Sequence, residues 1–121
     1  MIGYATIGSN DLDKAKRFYE AVLQPLGAKP SFSSERMQGY AGAGGAMLAL
    51  CRPFDEKPAQ PGNGNMVALS AQSADVVKQV YDLALANGAA DEGPPGERMP
   101  GFYGAYFRDL DGNKVCVFKM G

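Results

Sequence analysis

The sequence contains no histidine, so it lacks the commonest transition-metal ligand and the usual general base near neutral pH. Its two cysteines, Cys51 and Cys116, are too few for a disulfide framework and indicate free thiols in a reducing cytoplasm. No apolar run approaches the roughly 20 residues of a membrane-spanning helix, and Met1–Tyr4 shows no positively charged signal-peptide segment. These absences predict a cytoplasmic protein with no membrane partner, whose chemistry uses no imidazole.

Clusters of like charge are also absent from the sequence. The formal net charge is −1 and no basic patch stands out along the chain, which argues against a nucleic-acid partner. The length of 121 residues suits a single domain, and a content of 45% hydrophobic and 21% charged residues is ordinary for a globular protein. We therefore expect one domain spanning residues 1–121.

The first half of the chain alternates short strand patterns with one helix. Ile2–Gly8 resembles a strand, and Asn10 is predicted to cap a helix that Pro25 and Gly27 end. Apolar residues follow at helical spacing: Leu12, Ala15, Phe18, Tyr19, Val22, Leu23 and Leu26. Three further strands are predicted at Lys29–Ser33, Arg36–Gly42 and Ala46–Cys51.

The second half follows the same order after a polar stretch rich in proline and glycine. Ser73 is predicted to cap a second helix, which Gly88 closes. The turn Asp111–Asn113 is typical of a hairpin, while residues 91–101, rich in proline and glycine, are predicted to form a loop. Three strands are predicted in this half, at Met66–Ala71, Phe102–Arg108 and Lys114–Lys119.

An internal repeat relates the two halves. Adding 62 to the number of Tyr4 gives Met66, and the same offset relates Tyr19 to Tyr81. The repeat divides the chain into module one (residues 1–51), a linker (52–64) and module two (65–121). Chance recurrence of the same element order is the alternative, which the constant offset from the first strand through the helix disfavours.

Three segments make the chain resemble the vicinal oxygen chelate superfamily, which includes glyoxalase I, bleomycin resistance proteins, fosfomycin resistance enzymes and extradiol dioxygenases. Ile2–Leu12 resembles the family's first strand and helix start. Phe18-Tyr19 and Leu26-Gly27 are similar to its first helix. Phe107–Lys114 resembles its Asp-Pro-Asp-Gly-Asn hairpin, with Leu110 in place of proline.

This resemblance implies an α+β fold, in which two βαβββ modules form one cup-like mixed sheet with the helices on the outside. It also implies metal-ligand positions on the first and last strand of each module. Aligning Gly44–Leu48 with Gly112–Cys116 places these positions at Tyr4, Leu48, Met66 and Cys116. None of the four is a hard ligand, so we expect neither a metal nor another cofactor.

The same alignment predicts a small-molecule pocket inside the cup, although a filled core is the alternative. Alternation along the strands should place further side chains on the inward face: Thr6, Leu50, Ala68 and Phe118. Tyr106 should lie beside Cys116, which we interpret as an inert buried thiol because no histidine could activate it. Arg98 either binds an anion at the pocket rim or pairs with Glu97 in solvent.

The sequence thus favours a metal-independent protein that binds an unidentified small molecule and forms a homodimer. A glyoxalase- or dioxygenase-type enzyme with an atypical site is the second hypothesis. A structural domain with a filled cup is the third.

Overall fold

The computed structural model describes residues 1–121, which form two helices and eight strands. The helices are α1 (Leu12–Val22) and α2 (Ala74–Ala86), and a short 3-10 helix, Gln24–Leu26, follows α1. The strands of the first half are β1 (Tyr4–Gly8), β2 (Lys29–Ser33), β3 (Met37–Ala41) and β4 (Met47–Cys51). Those of the second half are β5 (Val67–Ser70), β6 (Ala90–Met99), β7 (Phe102–Arg108) and β8 (Lys114–Met120).

The strands form two four-stranded mixed sheets with the same topology. The strand order is β1-β4-β3-β2 in one sheet and β5-β8-β7-β6 in the other. In each sheet the first strand runs parallel to the last, and the other neighbours are antiparallel. Each module is therefore βαβββ, and the predicted pseudo-duplicated α+β fold is confirmed. No strand of one module pairs with a strand of the other.

The cap of α1 differs from the prediction by one residue. Asp11, not Asn10, is the N-cap, and its Oδ1 accepts a hydrogen bond from the backbone N–H of Lys14 at 3.1 Å. The Asn10 side chain is occupied elsewhere, because its amide donates to the Ala59 carbonyl and accepts from the Ala59 N–H. Asn10 thereby holds the linker against the start of α1. Ser73 caps α2 as predicted.

The segment predicted as a loop at residues 91–101 is mostly a strand, so that prediction was wrong. β6 pairs with β7 through a register broken in three places. Pro94 and Pro95 lack an N–H to donate, and such residues are tolerated on an edge strand because one side of it needs no partner. The prolines therefore made an irregular edge strand resemble a loop.

One hydrophobic core joins the two modules. Phe18 of α1 contacts the ring of Phe107 in β7, with centroids 6.3 Å apart. Val22, Val77 and Val80 are fully buried in the same cluster. Full burial of a side chain of this size stabilises the fold by about 1.5–3 kcal/mol.

A buried carboxylate in the β7–β8 turn fastens module two to module one. Asp109 accepts hydrogen bonds from the Tyr19 hydroxyl at 2.6 Å and from the N–H groups of Asp111 and Asn113. The Asn113 amide donates to both Asp109 and the carbonyl of Gly8. No buried side-chain polar atom lacks a partner. The turn therefore fixes the end of β1 relative to the start of β8.

Candidate ligand-binding face

Each sheet has one face packed on the helices and one face turned away from them, which we call the helix face and the open face. Along β1, the half-buried side chains of Ala5 and Ile7 alternate with the exposed side chains of Tyr4 and Thr6. Neighbouring strands place paired residues on the same side of the sheet. The strand register therefore assigns the paired residues of the two sheets to a face.

In module one, the structure places Leu48 and Leu50 on the helix face, which corrects the sequence-based expectation. Ala5 pairs with Leu48, and Leu48 belongs to the hydrophobic core with 7% of its surface exposed. Tyr4 and Thr6 lie on the open face as expected, where their partners are Met47 and Ala49.

The cause of this error is the turn before β4. Gly45 adopts a left-handed conformation with φ 85°, as does Gly112 in the β7–β8 turn. Gly45, rather than Gly44, is thus the counterpart of Gly112, so that Ala49 corresponds to Cys116. A shift of one residue moves a strand's side chains to the opposite face.

In module two, the register places the predicted site residues on one face. Ala68 pairs with Cys116, Cys116 pairs with Tyr106, and Ser70 pairs with Phe118. Met66 directly precedes β5 and shares this face by alternation. The open face of module two thus brings together Met66, Ala68, Tyr106, Cys116 and Phe118.

Aromatic rings supported by glycines cover part of the open face. Phe102 stacks on Phe118 with centroids 5.3 Å apart, and it lies so close to Gly104 that a Cβ there would stand 2.9 Å from its ring. In module one, Phe32 lies over Gly39 in the same way and contacts Tyr4 edge-on at 6.2 Å. Phe32 and Phe102 were not predicted from the sequence. The available signal was a glycine in the middle of an adjacent strand, which often marks close approach of another group.

Cations surround Tyr106 on this face. The Arg98 guanidinium lies 5.3 Å from the centroid of the Tyr106 ring, and the Lys114 Nζ lies 5.6 Å from it. Arg98 does not pair with Glu97, since the chain's one salt bridge joins Arg108 to Glu92. Arg98 donates instead to the carbonyl of Pro94.

Burial and these cations determine the protonation of Cys116 and Tyr106. Burial raises the pKa of the Cys116 thiol, although the Tyr106 hydroxyl, Arg98 and Lys114 act in the opposite direction. Burial, followed by the adjacent Cys116, also raises the pKa of Tyr106, against the opposing effect of Arg98. At neutral pH Cys116 is therefore a thiol, which is neither a strong nucleophile nor a ready metal ligand.

A cleft connects the open face of module two to module one. It has a volume of about 490 Å³ and lies between the end of β1, the linker and the start of β8. Thr6 contributes from one module and Met66 and Lys114 from the other, with Asn113 beside them. Two of the predicted site residues, Thr6 and Met66, thus line one cleft although they come from different modules.

The side chains on the open faces do not fit the metal that the family resemblance implies. With the corrected register, the relevant positions are Tyr4, Ala49, Met66 and Cys116, which offer neither an imidazole nor a carboxylate. No group of three or more Cys, Asp or Glu side chains anywhere in the chain could hold a metal ion. Neither helix of the structure has the length and apolar character that a membrane crossing requires.

Comparisons with known proteins agree with this architecture. A glyoxalase/bleomycin resistance protein from Albidiferax ferrireducens is 34% identical, covers 100% of this chain and 99% of its own, and has a TM-score of 0.93. A family enzyme from Burkholderia phytofirmans is 17% identical, with 98% of each chain covered and a TM-score of 0.79. A glyoxalase-related enzyme from Fulvimarina pelagi is 21% identical over 98% of this chain and 87% of its own, also with a TM-score of 0.79.

No curated protein matches the sequence. The family model described as Glyoxalase/Bleomycin resistance protein/Dioxygenase superfamily matches residues 1–117. The chain therefore belongs to the glyoxalase/bleomycin resistance protein/dioxygenase superfamily, as a member without the usual metal-ligand residues.

Proposed function

We propose that this protein binds a flat, largely apolar small molecule on the open face of its sheets, without a metal ion. The observation that carries the proposal is the exposure of large apolar side chains on a face that the core does not use. Tyr4, Met66 and Phe32 expose 56%, 46% and 37% of their surface, respectively. Exposed apolar groups of this size, adjacent to a cleft, are typical of ligand sites.

The chemistry of the face supports binding rather than a reaction. Aromatic rings stack on flat ligands, and methionine adapts to irregular ones. Burying apolar surface contributes about 25 cal/mol per Å². The face offers no histidine that would serve as a base, no group of side chains that could hold a metal ion, and no low-pKa thiol that would serve as a nucleophile.

A neutral fluorescent probe, N-phenylnaphthylamine, tests this function. We expect saturable binding to the wild-type protein with one molecule per chain. Ala68→Trp places a large ring on the open face and should weaken binding roughly tenfold or more by filling the space. Gln72→Trp, an exposed position between β5 and α2, is the matched control and should bind like the wild type. Equal binding by the two variants would place the site elsewhere.

Self-association and location complete the proposal. We propose a homodimer, because the edge strands β2 and β6 leave backbone groups that need covering. Light scattering at tens of micromolar that gave a monomer of 12.8 kDa would contradict it. The free thiols Cys51 and Cys116 support a cytoplasmic location.

A further inference from the structure

We infer that the ligand is an aromatic oxyanion, such as a carboxylate or sulfonate on a flat ring system, held by Arg98 and Lys114. The inference rests on the proposed function and adds the ligand's charge. The open face of module two carries the three cations Arg98, Arg108 and Lys114, although the chain has a net charge of −1. Glu92 pairs with Arg108, which leaves Arg98 and Lys114 as a local excess of positive charge.

Arg98 is positioned before any ligand arrives. Its guanidinium lies against the Tyr106 ring and donates to the carbonyl of Pro94. Two glycines of β6 make room for it, since a Cβ at Gly93 or Gly96 would stand 3.1 or 2.9 Å from its terminal nitrogens. A guanidinium has five N–H donors in a planar fork, so the bond to Pro94 leaves others free for an oxyanion.

Nearby acidic groups do not neutralise Arg98 or Lys114. Glu97 pairs in register with Tyr103, which packs on the hydrophobic core, so its side chain projects from the face opposite Arg98. Glu92 is bonded to Arg108 at 2.7 Å. Of the three cations on the face, Arg98 and Lys114 are therefore the two without a carboxylate partner.

Lys114 connects this charge to the cleft. Its ammonium lies near the Tyr106 ring, and its side chain also lines the cleft beside Met66 and Thr6. Arg98 and Lys114 thus flank one ring, next to the Phe102–Phe118 stack. A ligand whose ring contacts these aromatic side chains would place its oxyanion in the vicinity of Arg98 and Lys114, and paired charge favours an anion over a neutral analogue.

Two dyes with the same ring system distinguish the contribution of the anionic group from that of the rings. Anilinonaphthalene sulfonate is N-phenylnaphthylamine with one added sulfonate, a group that by itself favours water. We expect the wild-type protein to bind the sulfonate dye roughly tenfold more tightly than the neutral dye, as charge-assisted hydrogen bonds predict. Arg98→Gln and Lys114→Gln should each abolish most of this preference and leave the affinity for the neutral dye within about twofold.

Matched controls remove charge elsewhere. Lys119→Gln alters the same strand on its helix face, and Arg17→Gln alters an exposed position of α1; both should retain the preference. Circular dichroism would verify that all variants fold. Tight binding of the neutral dye with no preference for the sulfonate, or an equal loss of preference in the controls, overturns this inference but leaves the proposed function. Failure of both dyes to bind overturns the proposed function and the inference with it.

Discussion

The two modules use equivalent tyrosines in opposite ways. Tyr19 of α1 and Tyr81 of α2 are related by the offset of 62 and both donate a hydrogen bond to an aspartate. Tyr19 reaches across to Asp109 of module two at 2.6 Å, whereas Tyr81 bonds within its own module to Asp91 at 2.9 Å. The repeat preserves the position of the tyrosine in the helix. Whether the tyrosine connects the two modules depends on which module contains its aspartate partner.

The turns show the same asymmetry. The β7–β8 turn contacts module one through Asp109, Asp111 and Asn113. The equivalent turn of module one, residues 42–46, contains glycine and alanine and makes no side-chain hydrogen bond to module two. Because Gly8 and Asn113 both line the cleft, the polar turn of module two also shapes the candidate site.

Replacing the aspartate partner of each tyrosine should reveal the largest difference in stability between the two modules. Asp109→Ala would leave the buried Tyr19 hydroxyl and the turn N–H groups without their acceptor, and should lower the free energy of unfolding by about 3 kcal/mol. Asp91→Ala removes an exposed carboxylate that accepts from the Tyr81 hydroxyl and the Gly93 N–H, and should cost about 1 kcal/mol because water can replace an exposed acceptor. Urea unfolding measures both. Equal losses would show that the link between modules contributes no more stability than the bond within module two.

Adjacent residues of β4 test the assignment of faces. Leu48→Ala removes a core side chain and should lower the free energy of unfolding by about 2–4 kcal/mol, as buried leucines generally do. Met47→Ala alters the open face and should lower it by less than about 1 kcal/mol. Thermal unfolding followed by circular dichroism measures the difference. A larger loss for Met47 would reverse the two faces and return Leu48 to the candidate site.

The tyrosines themselves give a smaller effect, with a pH dependence. Burial, then the Asp109 carboxylate, raises the pKa of Tyr19 well above its ordinary value of 10.0. The folded pKa therefore exceeds the unfolded one, and the stabilisation is complete below about pH 10 and decreases as the pH rises through the folded pKa.

Tyr19→Phe should accordingly cost about 1–2 kcal/mol at pH 7, and the difference from wild type should shrink above about pH 10. Tyr81→Phe, the control within module two, should cost less because Asp91 is exposed. Urea unfolding between pH 7 and pH 11 provides the measurement. A cost for Tyr19→Phe that grows with pH would contradict the assigned direction of the pKa shift.

The sequence predicted the fold well because the repeat is strict where packing demands it. From β1 through α1, one offset of 62 preserves the strand and the apolar face of the helix. Prediction failed where local chemistry differed between the modules. Asn10 binds the linker instead of capping α1, and Pro94 and Pro95 concealed an edge strand.

The candidate site was predictable in module two but less so in module one. The strong Asp111–Asn113 turn sets the register of β8, which places Cys116 and Phe118 on the open face as predicted. In module one, neighbouring glycines at 44 and 45 allow two registers, which the sequence does not distinguish; the left-handed Gly45 and the pairing of Leu48 with Ala5 do. Whether these residues bind a ligand stays a prediction.

Titration calorimetry on metal-free protein tests the central claim most directly. The protein is first treated with a chelator. Mass spectrometry should then find less than about a tenth of an equivalent of transition metal, as expected of a chain without imidazole. This protein is titrated with anilinonaphthalene sulfonate before and after the addition of one equivalent of zinc. We expect saturable binding of one dye per chain with the same affinity in both cases. Binding that appears only after zinc is added would contradict it and favour a metal-dependent enzyme.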